Sequence, residues 1–196
     1  MKLKMKFENL KLQARRRAML LAAFVASAAI ALPLGAAVNW ELDESTSSIT
    51  FTVGSRLCAV DGVFQKWQMD AQVPSDLGAG SGQIVVDVAS IDTQNRRRDN
   101  HLRNPDFFEV ETYPTAVFTV KSVEDDDDRL RVTGTMQIKD VTRTETIIFR
   151  KTESDDRLEL NGRVIIDRTN YGITYDSIFN PIENEVILRM KLVFKR

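Results

Sequence analysis

The chain has 196 residues, with 27 Lys and Arg against 28 Asp and Glu, one His and one Cys. A lone thiol excludes an intrachain disulfide, and one His with one Cys leaves too few ligands for a zinc or copper site of the usual kind. The length suits one domain with a sizeable core.

The first 37 residues read as a targeting segment. Met1 to Arg17 carries seven basic residues and one acid, Ala18 to Leu32 is apolar except for Ser27, and Gly35-Ala36-Ala37 supplies small residues at an exit. A basic region, an apolar run and a small-residue site are the three parts of a secretory signal peptide. Pro33 and Gly35 interrupt the longer apolar run that a membrane anchor would need. Cleavage after Ala37 is expected to leave a domain of residues 38–196, periplasmic or secreted, with no stable membrane span. That domain holds 20 basic and 27 acidic residues, a formal charge of −7. Such a balance speaks against nucleic acid as a partner. The run Arg96-Arg97-Arg98 reads as a solvated helix face.

Period-two alternation then sets in. Ile49, Phe51 and Val53 share one face of a strand, which breaks at Gly54-Ser55. Cys58 follows, and a lone thiol in an oxidising compartment is either buried or left for intermolecular pairing; burial is expected. Val60 to Phe64 and Trp67 to Val73 alternate again, with Trp67, Met69, Ala71 and Val73 on one side. Pro74 to Gly82 is turn chemistry, and Ile84, Val86 and Val88 form the next face. From Thr93 to Asn104 the pattern predicts a short polar helix with Leu102 as its clearest apolar contact, and Pro105 ends it or starts the next turn. Ala116, Phe118 and Val120 return to alternation. The acidic run Glu124 to Asp128 lacks the spaced ligands and central glycine of a helix–loop–helix calcium loop and reads as a solvated hairpin turn. Val132, Met136 and Ile138 form an inner face around Gly134. Asp140-Val141-Thr142 reads as a turn into a strand with Ile147 and Phe149 inward. A second acidic turn, Glu153 to Asp156, leads to Leu158, Leu160, Gly162, Val164 and Ile166. Residues 167–181 are irregular and hold Tyr171, Tyr175 and Phe179. The last strand sets Val186, Leu188, Met190, Leu192 and Phe194 inward.

Eight or nine short strands and one helix, without strand–helix alternation, argue against a parallel sheet and for a sandwich or an antiparallel barrel. Eight strands close into a barrel wide enough for a filled core or one small ligand. Alternation alone does not choose between these.

Several blocks carry a family resemblance: S-I-T-F-T-V at 48–53, V-D-G-V-F at 60–64, V-A-S-I-D-T at 88–93, R-R-D-N-H-L-R-N-P-D-F-F-E-V-E-T-Y-P at 97–114, V-T-G-T-M-Q-I-K-D-V-T-R at 132–143 and I-D-R-T-N-Y-G-I at 166–173. From about Trp40 onward the chain resembles the YceI family of secreted lipocalin-like proteins. The resemblance implies an all-β fold, an extended antiparallel eight-stranded barrel with one short helical connection. It implies an apolar interior that binds an isoprenoid lipid or the tail of a quinone, a carrier or buffer role, no enzymatic activity and no further cofactor. Two departures concern polar contacts. A Lys-His-Leu-Gly-like stretch of many relatives reads here Gly54-Ser55-Arg56-Leu57-Cys58, and Lys139 stands where a histidine is common.

The expected apolar lining is Phe51, Val53, Phe64, Trp67, Met69, Phe118, Val120, Met136, Ile138, Ile147, Phe149, Leu188 and Met190; ordinary core packing is the competing role for each. At about 0.8 kcal/mol per buried CH₂, a tail of about 40 carbons would gain about 30 kcal/mol. That exceeds the ceiling of about 18–21 kcal/mol for real complexes, so ordering a flexible tail must offset much of the gain. His101 has three open roles: a catalytic base, a contact to a ligand head group, or a structural pin with Asp99, Arg103 and Asp106 that holds the helix, with Phe107 and Phe108, across the barrel mouth. No G-x-S-x-G is present to support a hydrolase. A filled interaction barrel and an enzyme on a lipid-like substrate remain the alternatives, and the chain is expected as a monomer or homodimer.

Overall fold

The structure, a computed structural model, describes residues 39–196. The expected signal peptide and the expected cut after Ala37 lie outside the described residues. Among the described residues eleven strands and one α-helix follow in order: β1 (Glu41–Leu42), β2 (Ser48–Ser55), β3 (Val60–Phe64), β4 (Trp67–Gln72), β5 (Ser81–Asp87), β6 (Ile91–Asp92), α1 (Arg96–Arg103), β7 (Thr115–Asp126), β8 (Arg129–Ile138), β9 (Val141–Glu153), β10 (Arg157–Asp167) and β11 (Ile182–Lys195). All pairings are antiparallel, in the order β4-β5-β7-β8-β9-β10-β11-β2-β3-β6, with β1 against the end of β11.

The strand count differs from the expected eight because two long strands are broken. β3 runs into β4 across Gln65-Lys66, and β5 runs into β6 across a 3₁₀ turn at Val88–Ser90. The Gln65 N–H donates to Ser90 O at 3.2 Å and the Asp87 N–H to Lys66 O at 3.0 Å, so the ladder continues across both breaks. β3 pairs β2 and β5 pairs β7, so this bent hairpin joins the two ends of the curled sheet. Rejoined at their breaks, the segments give eight long strands around one interior. The N-terminal residues cover the remaining edge: Trp40 N–H donates to Val73 O, and Glu41–Leu42 pair with Lys195 and Phe194.

Alternation places the side chains as expected. Along β10, residues Leu158, Leu160, Gly162, Val164 and Ile166 are buried and their neighbours are not. Three inward glycines lie under phenylalanine rings of neighbouring strands. Gly62 is paired with Phe51 and Gly162 with Phe149, while Gly134 lies under Phe118. A large ring over a bare backbone fills a small barrel without overfilling it.

Two turns are tighter than expected. β7 extends through Asp126, so only Asp127-Asp128 form the hairpin turn. Glu124 pairs across to Arg131 in an ion pair of 3.5 Å. Likewise Lys139-Asp140 form the next turn, with Lys139 at φ 55°, and Val141 already belongs to β9. α1 begins at Arg96 rather than Thr93, because Asn95 caps it: its side-chain oxygen accepts the Arg98 N–H at 3.1 Å.

Candidate functional site

The barrel is filled at one end and hollow at the other. Leu130, Leu158, Leu160, Leu192 and Phe194 pack the end covered by Trp40. Toward α1 a cavity of about 350 Å³ opens among Phe51, Phe64, Phe118, Met136, Ile138 and Leu188. A separate space of about 70 Å³ lies toward the filled end. Ile84, Phe118 and Met190 border both, and so form the constriction between them.

Of the thirteen expected lining residues, Phe51, Val53, Phe64, Phe118, Met136, Ile138, Leu188 and Met190 border the larger cavity. Met69, Val120, Ile147 and Phe149 border the smaller one. Trp67 packs against the core beside the β3–β4 break and borders neither.

The segment after β6 closes over the cavity with rings. His101 lies edge-on to Phe107 at 5.0 Å and to Tyr175 at 4.8 Å, and Phe107 meets Tyr175 at 4.9 Å. On the other side Phe51, Phe64 and Phe108 form a chain of ring contacts at 5.5 and 6.3 Å. Phe107 is buried and Phe108 half-buried.

The four residues expected to pin the helix together do not act as one group. His101 Nε2 meets Asp106 Oδ2 at 3.3 Å. Asp99 instead accepts from the Thr93 N–H and hydroxyl, and Arg103 donates to Ala89 O and Ile91 O, both at 2.8 Å. Arg98 adds bonds from Nε to Thr93 Oγ1 and from a terminal nitrogen to Thr93 O. Asp99, Arg98 and Arg103 therefore clamp α1 to residues 89–93, because charge-assisted bonds to backbone satisfy groups that the break after β5 leaves unpaired. Among the described residues no hydroxyl or thiol is hydrogen-bonded to His101, and no three Asp, Glu, His or Cys cluster as metal ligands.

Cys58 is exposed, contrary to expectation. It lies in the turn after β2, where Ser55 Oγ donates to Cys58 O at 2.6 Å. The turn carries the side chain to the cavity rim, beyond the packed interior.

Arg168 had no place in the expected site. Its side chain is 6% exposed and borders the cavity. It donates to Ile173 O at 2.8 Å, Tyr175 O at 2.7 Å, Ile182 O at 3.0 Å and Glu183 O at 3.0 Å. One planar cation thus gathers the irregular loop between β10 and β11. Asp176, in the same loop, accepts the Ile182 and Ser177 N–H groups, and these bonds hold its carboxyl below the usual carboxylate range. Tyr171 is buried and donates to Glu145 at 2.7 Å; burial, then that bond, pushes its hydroxyl well above the usual tyrosine value. The motif I-D-R-T-N-Y-G-I was the only signal that could have marked Arg168 and Tyr171.

Polar groups at the larger cavity belong to the end that carries α1: Ser55, Cys58, Arg98, His101, Arg168, Tyr171, Tyr175 and Asn180. The arrangement can take a long apolar group inward and keep a polar head at the rim.

The sequence profile of the family described as "YceI-like domain" matches residues 40–194. The "UPF0312 protein SAS2572" of Staphylococcus aureus (strain MSSA476) is 30% identical over 149 residues, 70% of this chain and 84% of that one. "Protein YceI" of Escherichia coli O157:H7 is 39% identical over 64 residues, 33% of this chain and 34% of that one. The crystal structure of Burkholderia cenocepacia BcnA superposes with a TM-score of 0.72 at 22% identity, covering 78% of this chain and 99% of that one. A polyisoprenoid binding domain from Saccharophagus degradans, described as implicated in plant cell wall breakdown, has a TM-score of 0.64 at 18% identity, covering 80% and 97%.

Proposed function

Because the chain belongs to the YceI-like domain family, we propose that it binds an isoprenoid lipid, or a quinone by its tail, inside the barrel, and carries or buffers that molecule in the periplasm or outside the cell. The observation that carries this reading is the cavity itself. At about 350 Å³ it falls within the range of about 300–1,000 Å³ usual for small-molecule sites, and its wall is apolar below the rim. A hydrocarbon chain needs buried apolar area and few hydrogen bonds, which is what such a wall offers. The polyisoprenoid binding domain with the same fold supports the ligand class.

In this reading the tail enters past α1 and its far end meets the constriction at Ile84, Phe118 and Met190. Ser55, His101 and Asn180 stand near the head group. The guanidinium groups of Arg98 and Arg168 are already engaged by backbone and hydroxyl oxygens, so they shape the rim.

The test is mass spectrometry of organic extracts from protein isolated out of its native compartment. The parent is expected to yield an apolar-tailed molecule. Met136→Lys places an unpaired ammonium on the cavity wall, which is strongly unfavourable for a bound tail, and is expected to lose it. Thr135→Lys, one residue away and facing outward, is expected to keep it. A parent that carries no such molecule would count for a barrel without cargo, and the proposal would fall.

A further inference from the structure

Two loops flank the cavity mouth, residues 56–59 between β2 and β3 and residues 172–181 between β10 and β11. They are laced together. The Leu57 N–H donates to Asn180 Oδ1 at 3.1 Å, the Arg56 N–H to Pro181 O at 3.1 Å, and Asn180 Nδ2 to Ser55 Oγ at 3.3 Å. Among the described residues four large apolar side chains are exposed, and three belong to these loops: Leu57 at 76%, Ile178 at 91% and Phe179 at 88%. The fourth, Ile165, stands on the outer wall in β10. Leu57 also borders the cavity, so the exposed patch is continuous with the apolar interior.

Charge adds a second, independent feature. α1 reads R-R-R-D-N-H-L-R, four arginines against one aspartate, in a domain whose formal balance is strongly negative. It adjoins the longer mouth loop through His101 and Tyr175. Arg56, Arg96 and Arg97 are exposed and make no ion pair among the described residues. Of the acids nearby, Asp99 is engaged with Thr93, Asp106 with His101 and Asp176 with the backbone of its own loop, while the exposed Glu183 carboxylate lies over Gly54 at the mouth.

We propose that this end of the barrel docks on an anionic lipid bilayer. Leu57, Ile178 and Phe179 enter the apolar boundary, and Arg56, Arg96 and Arg97 face the lipid phosphates. The cavity mouth then opens into lipid, and an apolar tail can pass between bilayer and barrel without crossing water. Three side chains on two loops are a small patch beside the roughly 800 Å² per partner that a stable protein interface buries. A bilayer needs no matched surface, and it accepts apolar tips flanked by cations. The use of the docked state rests on the tail-binding reading; the docking itself does not.

Sedimentation with phosphatidylglycerol–phosphatidylethanolamine vesicles tests it, with phosphatidylcholine vesicles for comparison. The protein is expected to bind the anionic vesicles more tightly. The triple variant Leu57→Ser, Ile178→Ser, Phe179→Ser is expected to lose about a hundredfold in vesicle affinity. The triple variant Arg56→Gln, Arg96→Gln, Arg97→Gln is expected to lose about tenfold or more on anionic vesicles and little on neutral ones. Ile165→Ser is expected to bind as the parent does. Unchanged urea midpoints show that the variants are folded. A parent that ignores vesicles, or an apolar triple variant that binds as well as the parent, overturns the docking. A parent dimer that becomes monomeric in the apolar variant, with vesicle binding unchanged, assigns the patch to a second copy and also overturns it. A parent that keeps its tail but ignores vesicles removes the docking alone. One that binds vesicles but yields no apolar molecule upholds the docking and removes the tail.

Discussion

The three glycines beneath phenylalanine rings allow a graded prediction. A Cβ added at Gly134 would lie 2.4 Å from the backbone oxygen of Thr119, and 2.6 and 2.9 Å from the Phe118 ring. Backbone in a paired strand cannot retreat. At Gly162 the three nearest atoms all belong to the Phe149 ring, at 2.4, 2.6 and 2.9 Å, and that ring has the space of about 70 Å³ beside it. At Gly62 it would meet the tip of Phe51 at 2.3 and 2.4 Å and Thr93 at 3.0 Å, and Phe51 can swing into the cavity of about 350 Å³. Overpacking costs about 1–3 kcal/mol, and the room to relax decides where in that range a site falls. Gly134→Ala is therefore expected to cost about 3 kcal/mol, Gly162→Ala about 2 and Gly62→Ala about 1. With a urea m-value of about 2 kcal/mol/M, the midpoints fall by about 1.5, 1 and 0.5 M. Gly62→Ala has a second effect, because the displaced ring fills the cavity: apolar cargo is expected to fall although the fold is the least disturbed of the three. Equal midpoints, or Gly62→Ala as the costliest change, would refute the claim that the room for the contacted atoms to move sets the cost.

Other expectations follow from the mouth. Phe107→Ala removes a buried ring and is expected to cost about 3–4 kcal/mol, while half-buried Phe108→Ala costs about 1–2; a urea midpoint unmoved by Phe107→Ala would remove the capping role of this segment. Arg168→Met leaves four carbonyls without their donor and is expected to cost about 3 kcal/mol, with Arg168→Lys recovering little because one ammonium cannot span them; full stability in Arg168→Lys would show that charge alone suffices. The folded-state pKa of Asp176 is depressed by the Ile182 and Ser177 N–H groups. Its contribution is present above the usual aspartate value of 3.8 and is lost as pH falls through the lower folded value. Amide protection at Ile182 is therefore expected to drop below that pH, and protection that stays constant into strong acid would contradict the assignment.

Much of this barrel was legible because alternation states which face of a strand looks inward. The strands around Phe118, Met136 and Leu188 followed from it directly. Alternation does not state height along the barrel axis, which is why Met69, Ile147 and Phe149 proved to border the smaller space and Trp67 neither. The breaks at Gln65-Lys66 and Val88–Ser90 carry no glycine or proline. They arise where one hairpin must serve neighbours on both sides, a tertiary demand without a local sign. Arg168 was hidden for a related reason: two of its carbonyl partners lie 14 and 15 residues downstream, and no periodic pattern links a cation to distant backbone oxygens. Cys58 followed its turn and not its hydropathy.

The pairing of β2 with β11 has a consequence in time. Thr50 lies opposite Arg189, and Val53 opposite Val186. This seam joins nearly the first strand to the last, so the ring cannot close until almost the whole chain is available. Contacts so distant in sequence must overcome a large loop-closure entropy before they stabilise anything, and folds dominated by them form in milliseconds to seconds, far more slowly than helical bundles. While the seam is open, the inward faces of β2 and β11 are bare apolar strands with free edges, the kind of surface that aggregates. The period of greatest vulnerability thus runs from the emergence of Ile49, Phe51 and Val53 to the arrival of Val186, Leu188 and Met190.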